Sequence, residues 1–321
     1  MVISSTHLPA APRVSIGLPV FNAQKFLPTA LDALLAQTYG DFELIVSDNA
    51  STDETLTICR DYAATDRRIC IHRATENRGA AWNFNRVAEL ATGTYFKWAA
   101  SDDICEPTFV ERCVEVLEAD RSVVCCHART CKIDVGGEVL HALRDPTTVS
   151  TQYAGAERAS RRFGNVLLNS GWAARSYGVI RREQLGQTSL IQPYYGSEKV
   201  LMAELALRGR FYDLPEVLFR QRVHSEASSN LGSVRQQQYF FSPRLASRRT
   251  SPRLRLLQGY VRAVHRAPLS FDERVRCWFW MGRYLLQFRK WNSVIQSARQ
   301  GTGNGAAGRE LLRTHASGNS R

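Results

Sequence analysis

The sequence predicts an α/β fold with a mostly parallel central sheet, helices on both of its faces, and a basic helical tail. Three observations carry this reading. Short β-prone runs alternate with stretches of helical spacing over the first 130 residues, the pattern of strand–helix–strand units. Polar residues stand directly after each of those runs. The positive charge gathers at one end of the chain.

The elements follow in order. Val14 to Leu18 is a β-prone run that stops at Pro19, and Gln24 to Gln37 places Phe26, Ala30, Leu31, Leu34 and Leu35 at helical spacing. Phe42 to Val46 is a second strand, closed by the polar run Ser47 to Asp53, where Thr52 or Asp53 can cap a helix over Glu54 to Tyr62. Ile69 to Ile71, Ala80 to Leu90 and Thr94 to Ala99 read as strand, helix and strand. Pro107 suits the first turn of a helix running to Leu117. Beyond it, Ser122 to Lys132 reads as a buried strand, Asp145 to Gly155 as a loop and Gly178 to Arg181 as a short strand. Glu198 to Arg208 is an apolar-faced helix, and Val217 to Val223 is a strand ending at His224. Ligands of parallel sheets sit beyond the carboxyl ends of the strands, so Asn22, Asp48, Asn77 and Asp102-Asp103 are expected on one rim.

Composition narrows the class. With 321 residues and 44% hydrophobic content, the chain can bury a large core. No apolar run approaches the roughly 18 residues of a membrane span, and the first 13 residues have no secretory pattern, so a cytoplasmic chain is expected. The eight cysteines lack zinc-ligand spacing and read as buried thiols. The net charge of +12 is uneven: residues 231–321 carry 17 Lys and Arg against Asp272, Glu273 and Glu310, a net +14, which leaves −2 for the first 230. Composition shifts near Asn230. The expected organisation is therefore a flexible stretch over 1–12, a main domain over 13–230, a basic helical extension over 231–300 and a disordered tail over 301–321. Between Tyr260 and Trp291, aromatic residues lie at helical spacing among arginines. That spacing favours core packing, or an amphipathic helix on the inner face of the plasma membrane, over base stacking on nucleic acid.

Asp102-Asp103 is the central chemical signal. Two carboxylates after an apolar strand can share a divalent cation with diphosphate oxygens, although a lone Asp pair reads as well as a helix cap. The wider pattern decides. Val14-Ser15-Ile16-Gly17-Leu18-Pro19-Val20-Phe21-Asn22, followed by Gln37 to Asp53 and then by Asn77, Gly79, Asn85, Ala91 and Gly93, resembles the N-terminal half of the inverting family 2 glycosyltransferases. The resemblance covers residues 13–230, with the motifs in the family's order. It includes the spore-coat polysaccharide and the O-antigen and capsule types.

That resemblance implies the GT-A fold, Rossmann-like and typical of nucleotide-diphospho-sugar transferases. The implied reaction moves a sugar from a nucleotide diphosphate donor to an acceptor hydroxyl with inversion, in cell-surface polysaccharide or glycoconjugate synthesis. Pro19, Phe21 and Asn22 would line the base pocket. Asp48 would accept a hydrogen bond from base or ribose, which selects uridine and a UDP-sugar. Arg78 would pair with donor phosphates, Asp102 would face ribose or metal, and Asp103 and His224 would hold Mn²⁺ or Mg²⁺. Glu198 stands where the family usually carries an Asp general base. Ala100 replaces the first Asp of the commoner DxDD form. The acceptor, a saccharide or a lipid-linked one, would contact Ser160 to Trp172 and Gln187 to Tyr195. Two rival readings remain at this level: a non-catalytic nucleotide-sugar binding module, and a nucleotidyltransferase on a related scaffold. The second would want a Gly-rich phosphate loop that Leu18 to Asn22 does not supply.

Overall fold

A computed structural model describes residues 11–140, 157–169, 173–227, 230–231, 233–245 and 251–287. The expected flexible stretch before residue 11, the loop from Asp145 to Gly155, residues 170–172 of the expected acceptor segment, and everything after residue 287 lie outside the described residues.

The first half alternates as expected. Strand β1 (Val14–Val20) leads to helix α1 (Leu27–Leu35), β2 (Phe42–Asp48) to α2 (Thr55–Thr65), β3 (Ile69–Arg73) to α3 (Ala80–Leu90), and β4 (Tyr95–Trp98) to the two-residue β5 (Ile104–Cys105) and α4 (Phe109–Ala119). All seven residues of β1 are buried, as a strand covered on both faces requires. Helix α4 starts two residues later than Pro107 suggested, and the Pro107 carbonyl instead accepts the Thr38 N–H at 2.9 Å. The second half comprises β6 (Val123–Ile133), α5 (Ala159–Leu168), a 3₁₀ turn over Ala173–Tyr177, β7 (Val179–Arg181), α6 (Arg182–Gly186), α7 (Ser197–Ala206) and β8 (Arg210–Arg222). Helices α8 (Val234–Phe241), α9 (Pro252–Arg266) and α10 (Phe271–Leu285) follow.

The eight strands form one sheet in the order β3-β2-β1-β4-β7-β6-β8-β5. β1, β2, β3 and β4 are mutually parallel, and so are β6 and β8, whereas β7 runs antiparallel to both its neighbours and β5 antiparallel to β8. The sheet is therefore mixed, with its four consecutive parallel strands in the N-terminal half. β8 is longer than the expected Val217–Val223 run. It contains Pro215, a residue that argues against an interior strand, and its register against β6 slips between Ala128 and Thr130, where a bulge absorbs it.

One core lies between the sheet and α1, α2 and α4, centred on Leu18, Leu31, Cys59, Phe109 and Leu117. The other joins the opposite face to α3, α5, α7, α9 and α10 through Val87, Trp98, Phe163, Leu201, Tyr260, Val264, Cys277 and Met281. The composition change near Asn230 thus does not mark a separate core, because the inner faces of α9 and α10 are buried with the sheet. α10 approaches α5 so closely that a Cβ on Gly164 would lie 2.3 Å from the Trp280 ring. The cysteines are free thiols, and six are buried, while Cys70 is exposed and Cys131 half-buried.

Candidate active site

Two groups of residues meet at the carboxyl ends of β1, β2 and β4. The first follows β1 and β2, whose ends are in register, Val20 opposite Asp48. Backbones turn sharply here: Asn22 (φ 47°) and Ala50 (φ 63°) adopt left-handed conformations, which cost a non-glycine residue energy and persist only when neighbours hold them. The neighbours are specific. Asn22 accepts the Thr52 N–H at 2.9 Å and donates its own N–H to Ser51 Oγ at 3.0 Å. Asp48 is fully buried; its Oδ1 accepts the Ser51 N–H at 3.0 Å, and its Oδ2 faces only Arg73 Nε at 3.4 Å.

Asn49 ties this loop to the next, donating to Asn77 Oδ1 at 2.9 Å and accepting the Arg78 N–H at 3.0 Å. Asn83 of α3 donates to the Val20 and Ser47 carbonyls at 3.1 and 2.9 Å. Pro19 is buried in β1, Phe21 stands 43% exposed just beyond it, and the exposed Arg78 guanidinium lies 4.4 Å from the Trp82 ring. Asp53, not Thr52, serves the start of α2, accepting the Thr55 N–H at 3.1 Å.

The second group gathers around the acidic pair. β5 places Ile104 opposite Arg220 of β8, so the chain beyond β8 returns beside Asp102 and Asp103. Asp102 Oδ2 and His224 Nε2 are 2.8 Å apart. The Asp102 carbonyl accepts Arg222 Nε at 2.9 Å, and Asp103 Oδ1 accepts the Arg222 N–H at 2.9 Å. Burial, and then the neighbouring Asp102 charge, push the Asp103 carboxyl up to about 7. His224 Nδ1 is buried without a hydrogen-bond partner, and its ring packs 4.9 Å from Phe26.

Glu198 lies in the first turn of α7, after Gly196, whose φ of 86° only glycine adopts cheaply. Burial pushes its carboxyl up as well. Burial, and then the charges of Asp103, Asp102 and Glu198, all raise the Tyr177 hydroxyl. Three other acids of this half are occupied. Asp213 pairs with Arg175 at 2.5 Å, Glu216 with Arg112 at 3.1 Å, and Glu204 accepts the Ser189 N–H and hydroxyl at 2.8 Å.

The structure adds three residues that the sequence reading did not single out. Lys97 is wholly buried and donates to the Trp98 and Tyr177 carbonyls at 3.0 and 2.8 Å, with the Phe109 ring 4.7 Å away. Its charge lowers the Asp103 carboxyl against the effect of burial, and a lone lysine inside the apolar run Tyr95 to Ala100 was the available signal. Arg222 donates to both members of the acidic pair. Arg73 covers Asp48.

Residues 15–181 match glycosyl transferase family 2. The chain belongs to that family. Among its relatives, the chondroitin synthase of Escherichia coli is 32% identical over 138 residues, 43% of this chain and 20% of that protein. A PGL/p-HBAD biosynthesis glycosyltransferase of Mycobacterium bovis is 44% identical over 95 residues, 29% of this chain and 37% of that one. The glycosyltransferase EpsE of Bacillus subtilis, named as putative, is 37% identical over 114 residues, 35% and 41% of the two chains. The chain spans less than half the length of each of these relatives. Its fold is shared with S. aureus TarS in complex with UDP-GlcNAc (TM-score 0.53, 16% identity, 82% of this chain and 69% of that one). It is also shared with a Pyrobaculum calidifontis mannosyltransferase in complex with GDP-Man and Mn²⁺ (TM-score 0.54, 17% identity, 96% and 80%). The expected GT-A-type α/β architecture is thereby shown.

Proposed function

We propose that this family 2 protein transfers a sugar from a nucleotide diphosphate donor, a UDP-sugar, to an acceptor hydroxyl with inversion, as a step in polysaccharide or glycoconjugate synthesis. One observation carries the reading. The acids of two distant chain segments, Asp102-Asp103 and Glu198, all act on the one buried Tyr177 phenol, while Asp213, Glu216 and Glu204 are held in ion pairs and hydrogen bonds. A non-catalytic binding module would have no use for a desolvated, unpaired Glu198.

In this reading the base and ribose lie across the cradle. Phe21 offers a stacking face, Asn22 fixes the loop, and Asp48 accepts from the base once the exposed Arg73 side chain moves off it. A carboxylate acceptor there favours uracil, whose N3–H donates. Arg78 is long enough to leave the Trp82 ring for a donor phosphate.

The residues around the acidic pair suit a divalent cation. Among the described residues no group of three or more His, Cys, Asp or Glu side chains forms a ready metal cage. Two adjacent carboxylates and an imidazole with one unpartnered nitrogen nonetheless supply hard donors, and Mn²⁺ and Mg²⁺ habitually complete their sphere with phosphate oxygens and water. Asp102, Asp103 and His224 would hold the ion, which when bound neutralises diphosphate charge. Arg222 holds the pair in place through its backbone N–H and guanidinium.

Glu198 accepts the proton of the acceptor hydroxyl as that oxygen attacks the anomeric carbon. Its raised pKa makes it a better base near neutral pH than an exposed carboxylate. Gln187 to Tyr195, which precedes α7, borders the acceptor side. Two measurements test the reading: thermal stabilisation by a panel of nucleotide sugars with and without Mn²⁺, and metal-dependent release of UDP. Expected is stabilisation by UDP-sugars that Mn²⁺ strengthens. Stabilisation with no turnover on any acceptor or water would leave only a binder.

A further inference from the structure

The outer face of α10 has no partner among the described residues. Phe271, Val275, Trp278, Phe279, Leu285 and Leu286 recur along one side of the helix, and they are exposed by 84%, 50%, 40%, 63%, 45% and 65%. The opposite side buries Cys277, Met281 and Tyr284 in the core, so the helix is apolar on two faces and anchored by one of them. A single exposed leucine needs no explanation, but a continuous stripe of three aromatic and three aliphatic side chains does.

Basic residues frame the stripe. Exposed Arg262, His265 and Arg266 run along α9 on one flank, where the His265 ring touches Trp278 at 5.6 Å. Exposed Arg276 and Arg283 lie on the other flank. The charge around the stripe is positive despite Asp272, which Arg276 holds at 2.9 Å.

We infer that this face is an interfacial docking surface for an anionic lipid bilayer, with the α10 stripe inserted at the headgroup boundary and the flanking arginines on phosphates. Charge complementarity selects this occupant. A second copy of the chain would set arginine against arginine. The chain's own residues 288–321 carry six Lys and Arg against Glu310, so they too would add like charge. An anionic surface adds the opposite sign, and apolar insertion combined with arginine pairing is the physics by which interfacial helices bind. The inference does not rest on the proposed reaction. It does carry a geometric consequence, because α9 packs directly on α7: a Cβ on Gly259 would lie 2.7 Å from Val200. Docking would therefore hold the helix that bears Glu198 at a fixed distance from the surface, where a lipid-linked acceptor resides.

The test uses the full-length protein and sedimentation with vesicles of phosphatidylglycerol and phosphatidylcholine, and with phosphatidylcholine alone. Wild type should bind the anionic vesicles and weaken steeply as salt rises from about 0.1 M to about 0.5 M. Phe271→Ser combined with Phe279→Ser should lower binding about tenfold or more with unchanged melting, since both rings are solvent-facing. Arg262→Glu combined with Arg266→Glu should lower it comparably for anionic vesicles alone. If the double serine variant binds anionic vesicles as wild type does, the basic tail acts alone and the stripe is not the docking surface. If wild type is a dimer in the absence of lipid and the serine variant is a monomer, the occupant is a second copy and the inference also fails.

Discussion

The two halves of the site are built on opposite principles. Around β1 and β2, polar side chains largely satisfy one another: Asn22 with Ser51 and Thr52, Asn49 with Asn77 and Arg78, and Asn83 with the Val20 and Ser47 carbonyls, although Asp48 Oδ2 and Asn83 Oδ1 are buried without hydrogen-bond partners. Around β5, α7 and the end of β8, ionisable groups are left wanting. Asp103 and Glu198 are pushed toward their neutral forms by burial, and His224 Nδ1 and Ser197 Oγ are buried without partners. A satisfied network rigidifies and presents a fixed surface, whereas an unsatisfied one stores free energy that a ligand or ion can release. In the proposed reading the first half is a preorganised cradle and the second is the reactive part. Substitutions should follow that division. In the cradle they should cost stability, and among the acids they should cost turnover while sparing the fold.

The largest effect is expected at Glu198. Glu198→Gln removes the base and should lower transfer by about 10²–10⁴-fold with donor affinity unchanged, and the melting temperature should hold or rise because a neutral amide replaces a desolvated carboxylate. Glu198→Asp should retain part of the activity. Since only the ionised carboxylate accepts a proton and burial raises its pKa, kcat/KM should fall as pH drops through that raised value. A Gln variant that binds donor normally and keeps more than about a tenth of wild-type turnover would remove Glu198 from the mechanism.

Asp103→Asn comes next. Loss of a charged oxygen donor should lower metal-dependent turnover by about a hundredfold. The stability effect has the opposite sign. A carboxyl whose folded pKa lies near 7, above its unfolded value, favours the fold at low pH and loses that contribution as pH rises through about 7. At about pH 8 without metal, Asp103→Asn should therefore melt no lower than wild type, and near pH 4 the gain should vanish. Turnover that is unchanged in EDTA would break the division between cradle and acids at its centre.

Asp48→Ala tests one of the cradle's unmet needs, the buried carboxylate oxygen that faces Arg73. It should raise donor KM by about 1–3 kcal/mol, the worth of a largely buried hydrogen bond, with little change in kcat. Equal UDP affinity in variant and wild type would reduce Asp48 to a cap for Ser51.

The same division explains what the sequence disclosed. The cradle comes from contiguous β–α units, in which period-two and period-3.6 patterns and polar strand ends are local signals, so β1 to β4 and the rim of Asn22, Asp48, Asn77 and Asp102 were legible. The reactive half is assembled across more than a hundred residues. β5 has only two residues, β8 hides behind Pro215 and a bulge, and Arg222 reaches Asp103 from 119 positions away. Lys97 reads as an accident within an apolar strand until Tyr177 is placed over it. The buried inner faces of α9 and α10 were masked by their arginines, whose charge lies on the outer faces and made the whole segment resemble a separate tail.

The smallest effect separates the halves most cleanly, at Asn49. Its side chain is buried and makes three hydrogen bonds, given to Asn77 and to the Gly79 carbonyl and taken from Arg78. It lies beside the proposed base pocket without being assigned a ligand contact. Asn49→Ala deletes all three and leaves Asn77 Oδ1 with the Gly79 N–H. The expected cost is about 1–2 kcal/mol, a shift of a few degrees in Tm for a protein of this size. The 74–79 loop should loosen, so donor KM should rise slightly. The acids stand on other strands and keep their geometry, so kcat should stay within about a factor of two of wild type. The informative comparison is with Glu198→Gln measured in the same buffer, one variant losing stability and keeping turnover, the other losing turnover and keeping stability. If Asn49→Ala instead lowers kcat as far as it lowers stability, the cradle and the acids form one coupled network, and the distinction between a fixed surface and a reactive half fails for this protein.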